Sequence, residues 1–402
     1  MKIVIVTHYF PPEIGAPQSR LSDIARKFAE SEEVVVVTGM PNHPTGVVHE
    51  GYKHKIRIKE YIDGYEVLRS WVYATPNEGF VKKTLGHLSF MVSSILFNLR
   101  RIGRADIVLV SSPTFFAIFS AYFVAKIKRA KFVLEIRDLW PGIFIELGVL
   151  TNKYIISVLS KLEMYFYEKC DLLVVVTEGF KDNIVSRGIS PDKVFVVRNG
   201  ADISKFNTSA GNRNYRTVLN VTESQVIVLY SGAHGISHGL DSVIKAAGLL
   251  ADRKDIIFVF VGEGAKKAEL VKQAAGLDNV MFMPAARREA MPDIIFSSDI
   301  CLAPLKNIPL FSTFIPSKIF EYMACSRPVI GCLSGEPAKI LEEAGQFVVE
   351  PEQPKLLADC ITKLADDPNL RQKKGLEGRL FVESNFNRDL LSERYLSLIR
   401  TI

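Results

Sequence analysis

Short, unbroken β-branched runs separated by helical segments recur along this chain, and they leave few folds open. The first is Ile3-Val4-Ile5-Val6. A run without polar alternation suits a strand covered on both faces, as in parallel sheets flanked by helices. A turn-rich loop, Thr7 to Ser19, leads into a helix, Arg20–Glu30, and a strand, Val34–Thr38. The alternation resumes with strand Ile107–Val110, helix Thr114–Lys128, strand Phe132–Ile136, helix Ile155–Lys169, strand Leu172–Val176, helix Phe180–Ser186 and strand Val194–Val197. A polar stretch, Ser204 to Asn214, reads as a linker.

A second series follows it. Strands Val226–Tyr230, Ile256–Val261, Val280–Met283, Ile300–Pro304 and Pro328–Gly331 alternate with helices Leu240–Asp252, Ala265–Ala275, Arg288–Phe296 and Ser317–Ala324. Two helical segments, around Leu356–Ala365 and from Asp389 to Ile402, close the chain. Strands alternating with helices give a doubly wound α/β fold, and two series give two Rossmann-like domains, residues 1–203 and 215–386. The 402-residue length is comfortable for two. Two such sheets facing a central cleft would place their strand C-terminal ends on it, so chemistry is sought in the loops after strands.

Composition narrows the class. Hydrophobic residues at 48% and charged residues at 23% exclude disorder and collagen-like repeats. Cys170, Cys301, Cys325, Cys332 and Cys360 show no metal-knuckle spacing and read as free, buried thiols of a reducing compartment. The apolar run after Lys2 meets Pro11-Pro12 too early for a signal peptide, and no window reaches the length of a spanning helix. These features place the chain in a cytoplasm.

Four post-strand loops carry candidate chemistry. Gly15-Ala16, ahead of the first helix, offers backbone approach to an anion. The absence of G-x-G-x-x-G after the first strand argues against a nicotinamide dehydrogenase, and the absence of G-x₄-G-K-[ST] against a P-loop ATPase. Glu135-Ile136-Arg137-Asp138-Leu139-Trp140-Pro141 puts opposite charges and an aromatic at a strand end. Two readings stand there: a structural ion pair, or sugar and phosphate contact by Arg137 and Asp138. Val261-Gly262-Glu263-Gly264 allows close backbone approach, with Glu263 as a hydroxyl acceptor. In Pro316-Ser317-Lys318-Ile319-Phe320-Glu321, Ser317 is expected to cap the helix, leaving first-turn amides and Lys318 for a phosphate. Glu321, about 40° round the helix from Ser317, would accept ribose hydroxyls.

The string Pro-Ser-Lys-x-Phe-Glu-Tyr-Met-Ala-x-x-Arg-Pro-Val from Pro316 resembles the donor-site signature of retaining GT-B glycosyltransferases of glycosyltransferase family 4. Arg198-Asn199-Gly200-Ala201-Asp202, the Val261–Gly264 loop and Pro11-Pro12-x-x-Gly15 extend the likeness, which runs the whole chain. His8-Tyr9-Phe10-Pro11-Pro12, Pro41-Asn42-His43-Pro44-Thr45-Gly46 and Arg137–Pro141 resemble the bacterial surface-polysaccharide branch that includes N-acetyl-L-fucosamine transferases of O-antigen and capsule assembly. The resemblance implies an N-terminal acceptor domain, a C-terminal nucleotide-sugar domain, and a last helix, 387–402, that crosses back to the first.

It further implies donor contacts from Gly15, Ala16, Gly232, His234, Gly262, Glu263, Pro316, Ser317, Lys318 and Glu321, with base contacts from Ala286 and Arg287. Acceptor contacts would come from Arg20, His43 and Trp140. Lys318, Arg137 and Asp138 would serve the reaction itself. Two departures stand out. Thr313 occupies the position eight before Glu321 where the family has a glutamate, and Ala233 and His238 occupy positions where it often has cations. Neutral histidine is the poorer counter-charge at pH 7. No D-x-D motif occurs, so no metal and no other cofactor is expected beside a UDP-linked donor.

Net charge is +6, yet the window Gly79–Lys131 alone carries +8. Its cations are Lys82, Lys83, Arg100, Arg101, Arg104, Lys126, Lys128, Arg129 and Lys131, around the apolar segment Leu85 to Leu99. Two readings stand: an interfacial helix on anionic lipid at the inner membrane face, or a core helix with solvated ends. No nucleic-acid-binding signature accompanies the charge. The function expected is transfer of a sugar from a nucleotide to a polyprenyl-diphosphate-linked saccharide. The alternatives are the same fold with a small soluble acceptor, and a non-catalytic sugar-nucleotide-binding subunit.

Overall fold

The computed structural model describes residues 1–13, 15–43, 45–76, 79–112, 114–207 and 215–402. Pro44 and positions 208–214 of the expected linker lie outside the described residues. Two compact units result: Met1–Arg198 with Asp389–Ile402, and Asn199–Arg388.

The first unit is built from β1 (Lys2–Val6), α1 (Ala16–Ala29), β2 (Glu33–Gly39), β3 (Arg57–Ile62), β4 (Tyr65–Ser70), α2 (Gly79–Asn98), β5 (Ile107–Ser111), α3 (Phe115–Lys128), β6 (Lys131–Ile136), α4 (Gly142–Glu146), α5 (Lys153–Lys169), β7 (Leu172–Val175), α6 (Glu178–Ser186) and β8 (Val194–Val196). Its eight strands run in the order β3-β4-β2-β1-β5-β6-β7-β8. Ile3 to Val6 have at most 1% exposure, as the unbroken apolar run demands. Strand order reverses between β1 and β5, which marks the switch point at which loops diverge.

One feature departs from the expected parallel sheet. β3 and β4 pair antiparallel as an edge hairpin, with Ile62 opposite Tyr65. Asp63 and Gly64 close it at φ +45° and +89°, the left-handed turn that Asp-Gly favours. Two of this unit's helices, α5 and α6, begin on side-chain caps: Asn152 accepts from the Tyr154 and Ile155 amides, and Thr177 from that of Phe180.

The second unit contains α7 (Tyr215–Val218), β9 (Val226–Ser231), α8 (Leu240–Leu249), β10 (Ile256–Val261), α9 (Lys267–Gln273), β11 (Val280–Met283), α10 (Met291–Ser297), β12 (Ile300–Pro304), α11 (Lys318–Ala324), β13 (Val329–Cys332), α12 (Glu336–Glu343), β14 (Phe347–Val349), α13 (Pro354–Asp366) and α14 (Pro368–Asn385). Its strands, all parallel among the described residues, lie in the order β11-β10-β9-β12-β13-β14. The switch point here falls between β9 and β12. α14, capped by Asp367, is a long helix absent from the sequence reading.

The closing helix, α15 (Arg388–Ile399), belongs from Asp389 onwards to the first unit. Tyr395, Leu396 and Ile399 join the core formed by Ile3, Ile5, Phe28 and Leu109. Arg26–Asp389, Lys27–Glu393 and Arg400–Glu32 pairs line its edge. All five cysteines are free, four of them buried and Cys360 half-buried.

Candidate functional site

In the second unit the loops after β9 and β10 meet the start of α11. Gly232 sits at φ +138°, its amide donating to the Val261 carbonyl at 2.9 Å. A Cβ there would stand 2.7 Å from Lys318 Nζ. Gly262, at φ +153°, packs so tightly that a Cβ would fall 1.9 Å from the Gly232 carbonyl oxygen. Gly262 is therefore fixed by backbone approach and Gly232 by its positive φ. Between them His234 is wholly buried, its amide donating to the Glu263 carbonyl and its carbonyl accepting from Lys266.

Lys318 Nζ lies over the Tyr230 ring, 3.9 Å from its centroid. Desolvation pushes this ammonium down to about 7, with Glu321 pulling the other way. Burial pushes His234 down to about 4, helped by Lys267 and Lys318 and opposed by Glu263. His238 is pushed down to about 3 by burial, Lys318 and His234. Both His234 ring nitrogens, and Nδ1 of His238, are buried without a hydrogen-bond partner. Tyr322 ties α11 to the end of β9, its hydroxyl accepting from the Ser231 amide at 2.9 Å.

Three expectations need correction here. Ser317 does not cap α11: its backbone is helical (φ −58°, ψ −25°), which turns the hydroxyl away from the first-turn amides. Those amides are not all open, because Ile319 and Phe320 donate back to Pro316 and Ser317 at 3.2 Å each. Glu263 is paired with Lys267 at 2.6 Å, which lowers its carboxyl pKa. Lys267 also donates to the Gly262 and Met283 carbonyls, clasping β10 to β11, a role the sequence reading missed. Ala286 and Arg287 lie in the loop after β11, Arg287 exposed, and the Thr313 hydroxyl donates within its own turn to Leu310.

Glu321, one turn beyond Lys318, stands 4.0 Å from Arg388 Nη2. Arg388 is 7% exposed and donates to the Gly200 carbonyl, while Ala201 and Arg388 pair through their backbones. The Gly200 and Ala201 carbonyls thus brace Arg388 beside Glu321. Burial works to raise the Asp202 carboxyl, but the bonds it accepts from Ser204 and Lys205, with the Lys205 charge, bring it down to about 2.

The first unit places its candidates differently. The space over Gly15 is filled by the Gln18 carboxamide, 2.4 Å from where a Cβ would be, and the Ala16 side chain lies outside the described residues. Arg20 does not reach for a ligand. It is 5% exposed, donates to Glu135 at 2.9 Å and to the Val197 and Arg198 carbonyls at 3.0 Å, and forms the structural ion pair of this strand end. Arg137 and Asp138 are half-buried, and burial raises Asp138 above the usual carboxylate range. Asp138 and Trp140 line a cavity of about 10 Å³ with Ser112, Phe115 and Glu163, too small for a sugar. Trp140 stacks on Phe115 at 4.3 Å.

Glu13, unremarked in the sequence, organises the loops after β1 and β2. Its carboxylate accepts from the amides of Phe10, Asn42 and His43 at 2.8–2.9 Å. Burial nonetheless pushes it up to about 7. His43 lies 5.2 Å from the Tyr9 ring, and His8 packs between Tyr9, His87 and Phe90. Among the described residues no cluster of three His, Cys, Asp or Glu could hold a metal ion.

Residues 19–205 match the family described as Glycosyltransferase Family 4, and residues 225–367 the family described as Glycosyl transferases group 1. Matched in both halves, the chain is a glycosyltransferase. This glycosyltransferase is 25% identical, over all of both chains, to the putative colanic acid biosynthesis glycosyl transferase WcaI of Escherichia coli K12. Sucrose-phosphate synthase from Thermosynechococcus elongatus matches all of the chain, and 98% of its own, at 17% identity and a TM-score of 0.77. HepE of Anabaena, solved in complex with UDP and glucose, matches over the whole of both chains at 17% identity and a TM-score of 0.75. The two Rossmann-like units are those of the GT-B fold.

Proposed function

We propose that this glycosyltransferase moves a sugar from a UDP-linked donor, held by the second unit, to a lipid-linked saccharide in cell-surface polysaccharide assembly. The observation that carries the donor half is the seat of Lys318, an ammonium held over the Tyr230 ring beside the glycine floor of Gly232 and Gly262. Negative charge grows on the departing diphosphate as the glycosidic bond breaks, and a preplaced cation in a desolvated site stabilises it. Glu321, braced beside Arg388, accepts the ribose hydroxyls. The transfer retains configuration and needs no metal; full activity in EDTA is the expected result, and a rate lost in EDTA and restored by Mg²⁺ would overturn it.

The acceptor half rests on α2 and α3. Leu85, Val92 and Leu96 are 46%, 49% and 71% exposed and lie within about 40° on one face of α2. Phe123 and Ile127, each 47% exposed, add an i, i+4 pair on α3. Phe90, Ser93 and Ser94 of α2 point inward instead. An apolar stripe facing out, with cations at both ends, suits an anionic bilayer surface, here the inner face of the cell membrane. Among the described residues no helix is long and apolar enough to cross a membrane. The WcaI name supports surface polysaccharide as the product class, and the resemblance to O-antigen and capsule enzymes supports N-acetyl-L-fucosamine as the sugar.

Thermal-shift measurement against UDP, GDP and ADP tests the donor assignment, because a ligand bound only by the native state raises the unfolding temperature. UDP is expected to give the largest shift. A clear preference for GDP would overturn the choice of base.

A further inference from the structure

Among the described residues no arginine is seen beside Lys318 at the diphosphate end of the proposed donor site, and the titratable groups there face one another. Lys318 Nζ meets Tyr230 from β9, whose hydroxyl donates to the Ala233 carbonyl. His234 and His238 face it from the following loop and Glu321 from its own helix, while the Tyr322 hydroxyl is tied to Ser231. Lys267 and Glu263, paired with each other, face His234 from the β10 side. Glu321 also answers to Arg388. His238 Nδ1 is buried without a partner, while Nε2 lies alongside Gly235, where a Cβ would stand 3.9 Å away.

We propose that this site charges on arrival of its ligand: Lys318 and His238 take up protons as a nucleoside diphosphate binds, so that His238 supplies there the cation that the sequence lacks at that position. The inference rests on the donor reading given under Proposed function. Burial holds both groups towards neutrality, with Glu321 opposing it at Lys318 and the charges of Lys318 and His234 adding to it at His238. One phosphate charge at contact distance raises the proton affinity of an adjacent base roughly a thousandfold at the effective dielectric of a protein. A diphosphate brings two such charges. Lys318 then holds its proton well above pH 8, and His238 gains one near pH 6. Keeping the cations discharged between turnovers removes the repulsion that two fixed positive charges would impose on this packed loop, and it makes donor affinity depend on pH.

Titration calorimetry with UDP-glucose, whose phosphates do not themselves titrate in this range, reads the proton directly. The full chain is measured at about pH 6, 7 and 8 in buffers of different ionisation enthalpy. The expected affinity falls about tenfold from pH 6 to pH 8, with more than half a proton taken up near pH 8. Lys318→Arg, which keeps the charge and cannot discharge, is expected to flatten the profile above pH 7. His238→Gln is expected to abolish the uptake near pH 6 and leave that near pH 8. Affinity constant within about twofold across this range, with one enthalpy in all buffers, would overturn the inference and leave the donor reading intact. If neither UDP nor UDP-glucose binds at any pH, the donor reading fails and this inference falls with it.

Discussion

Gly232 and Lys318, 86 positions apart in the chain, are in van der Waals register: a single Cβ on the glycine would intrude to 2.7 Å on the lysine ammonium. Gly232→Ala therefore tests the seat of the charge without removing it. The alanine meets both a left-handed backbone (φ +138°) and the ammonium, and the flexible lysine end is what yields. Stability is expected to fall by about 1–3 kcal/mol from backbone strain. With the cation displaced from the departing diphosphate, kcat is expected to fall roughly 100-fold or more. Unchanged kcat in a folded variant would separate Lys318 from the chemistry.

His87 gives the first unit an acid-sensitive element. Burial, with Lys83 adding repulsion, pushes it down to about 4, against an ordinary value near 6.5. The unfolded chain thus binds a proton that the folded chain refuses. Stability should be full above about pH 6.5 and fall by about 3 kcal/mol on the way to pH 4, with His8 adding a further loss in the same direction. His87→Phe keeps ring packing against His8 and Phe116 and removes the proton. Chemical denaturation at both pH values should show a smaller acid loss in the variant; an equal loss would place the sensitivity elsewhere.

The apolar and basic face of α2 and α3 predicts anionic-lipid binding. Arg100, Lys126 and Arg129 are exposed there, and each cation near such a surface contributes about 1 kcal/mol. Replacing all three by serine is expected to weaken co-flotation with phosphatidylglycerol vesicles roughly 100-fold, and Leu96→Glu to weaken it independently. Wild-type protein that stays in the bulk phase would favour the soluble-acceptor reading instead.

Strands β1, β2 and β5 to β13 were legible because buried parallel strands write themselves as apolar runs, whereas β3, β4, β14 and both switch points were not read. The β3–β4 hairpin was missed, although Asp63-Gly64 between Ile62 and Tyr65 is a turn dipeptide of the hairpin kind. Other features have no local signature. Arg20 pairs with Glu135, 115 residues away, and only the fold reveals that it is internal. The Arg198–Asp202 motif looked like a family mark, and its Gly200 and Ala201 carbonyls prove to brace Arg388 beside Glu321. Serine before a helix promised a cap at Ser317, but capping depends on backbone angles that residue type does not fix. His234 was legible as a loop residue, not as a buried ring with both nitrogens unpartnered.

The division of labour between Glu321 and Lys318 is the centre of the account, and calorimetry of UDP binding to Glu321→Gln and Lys318→Ala, paired with their kcat values, tests it most directly. Glu321→Gln keeps the size and loses the charge-assisted part of each ribose hydrogen bond, worth about 1.5–3 kcal/mol, so UDP affinity should fall roughly 10- to 150-fold. Lys318→Ala should weaken UDP as well, by losing the charge that meets the diphosphate, and should in addition lower kcat by roughly 100- to 1,000-fold, because that diphosphate charge is largest in the transition state. If a folded Glu321→Gln binds UDP within about 0.5 kcal/mol of wild type, the carboxylate is a solvated surface group and the donor site lies elsewhere.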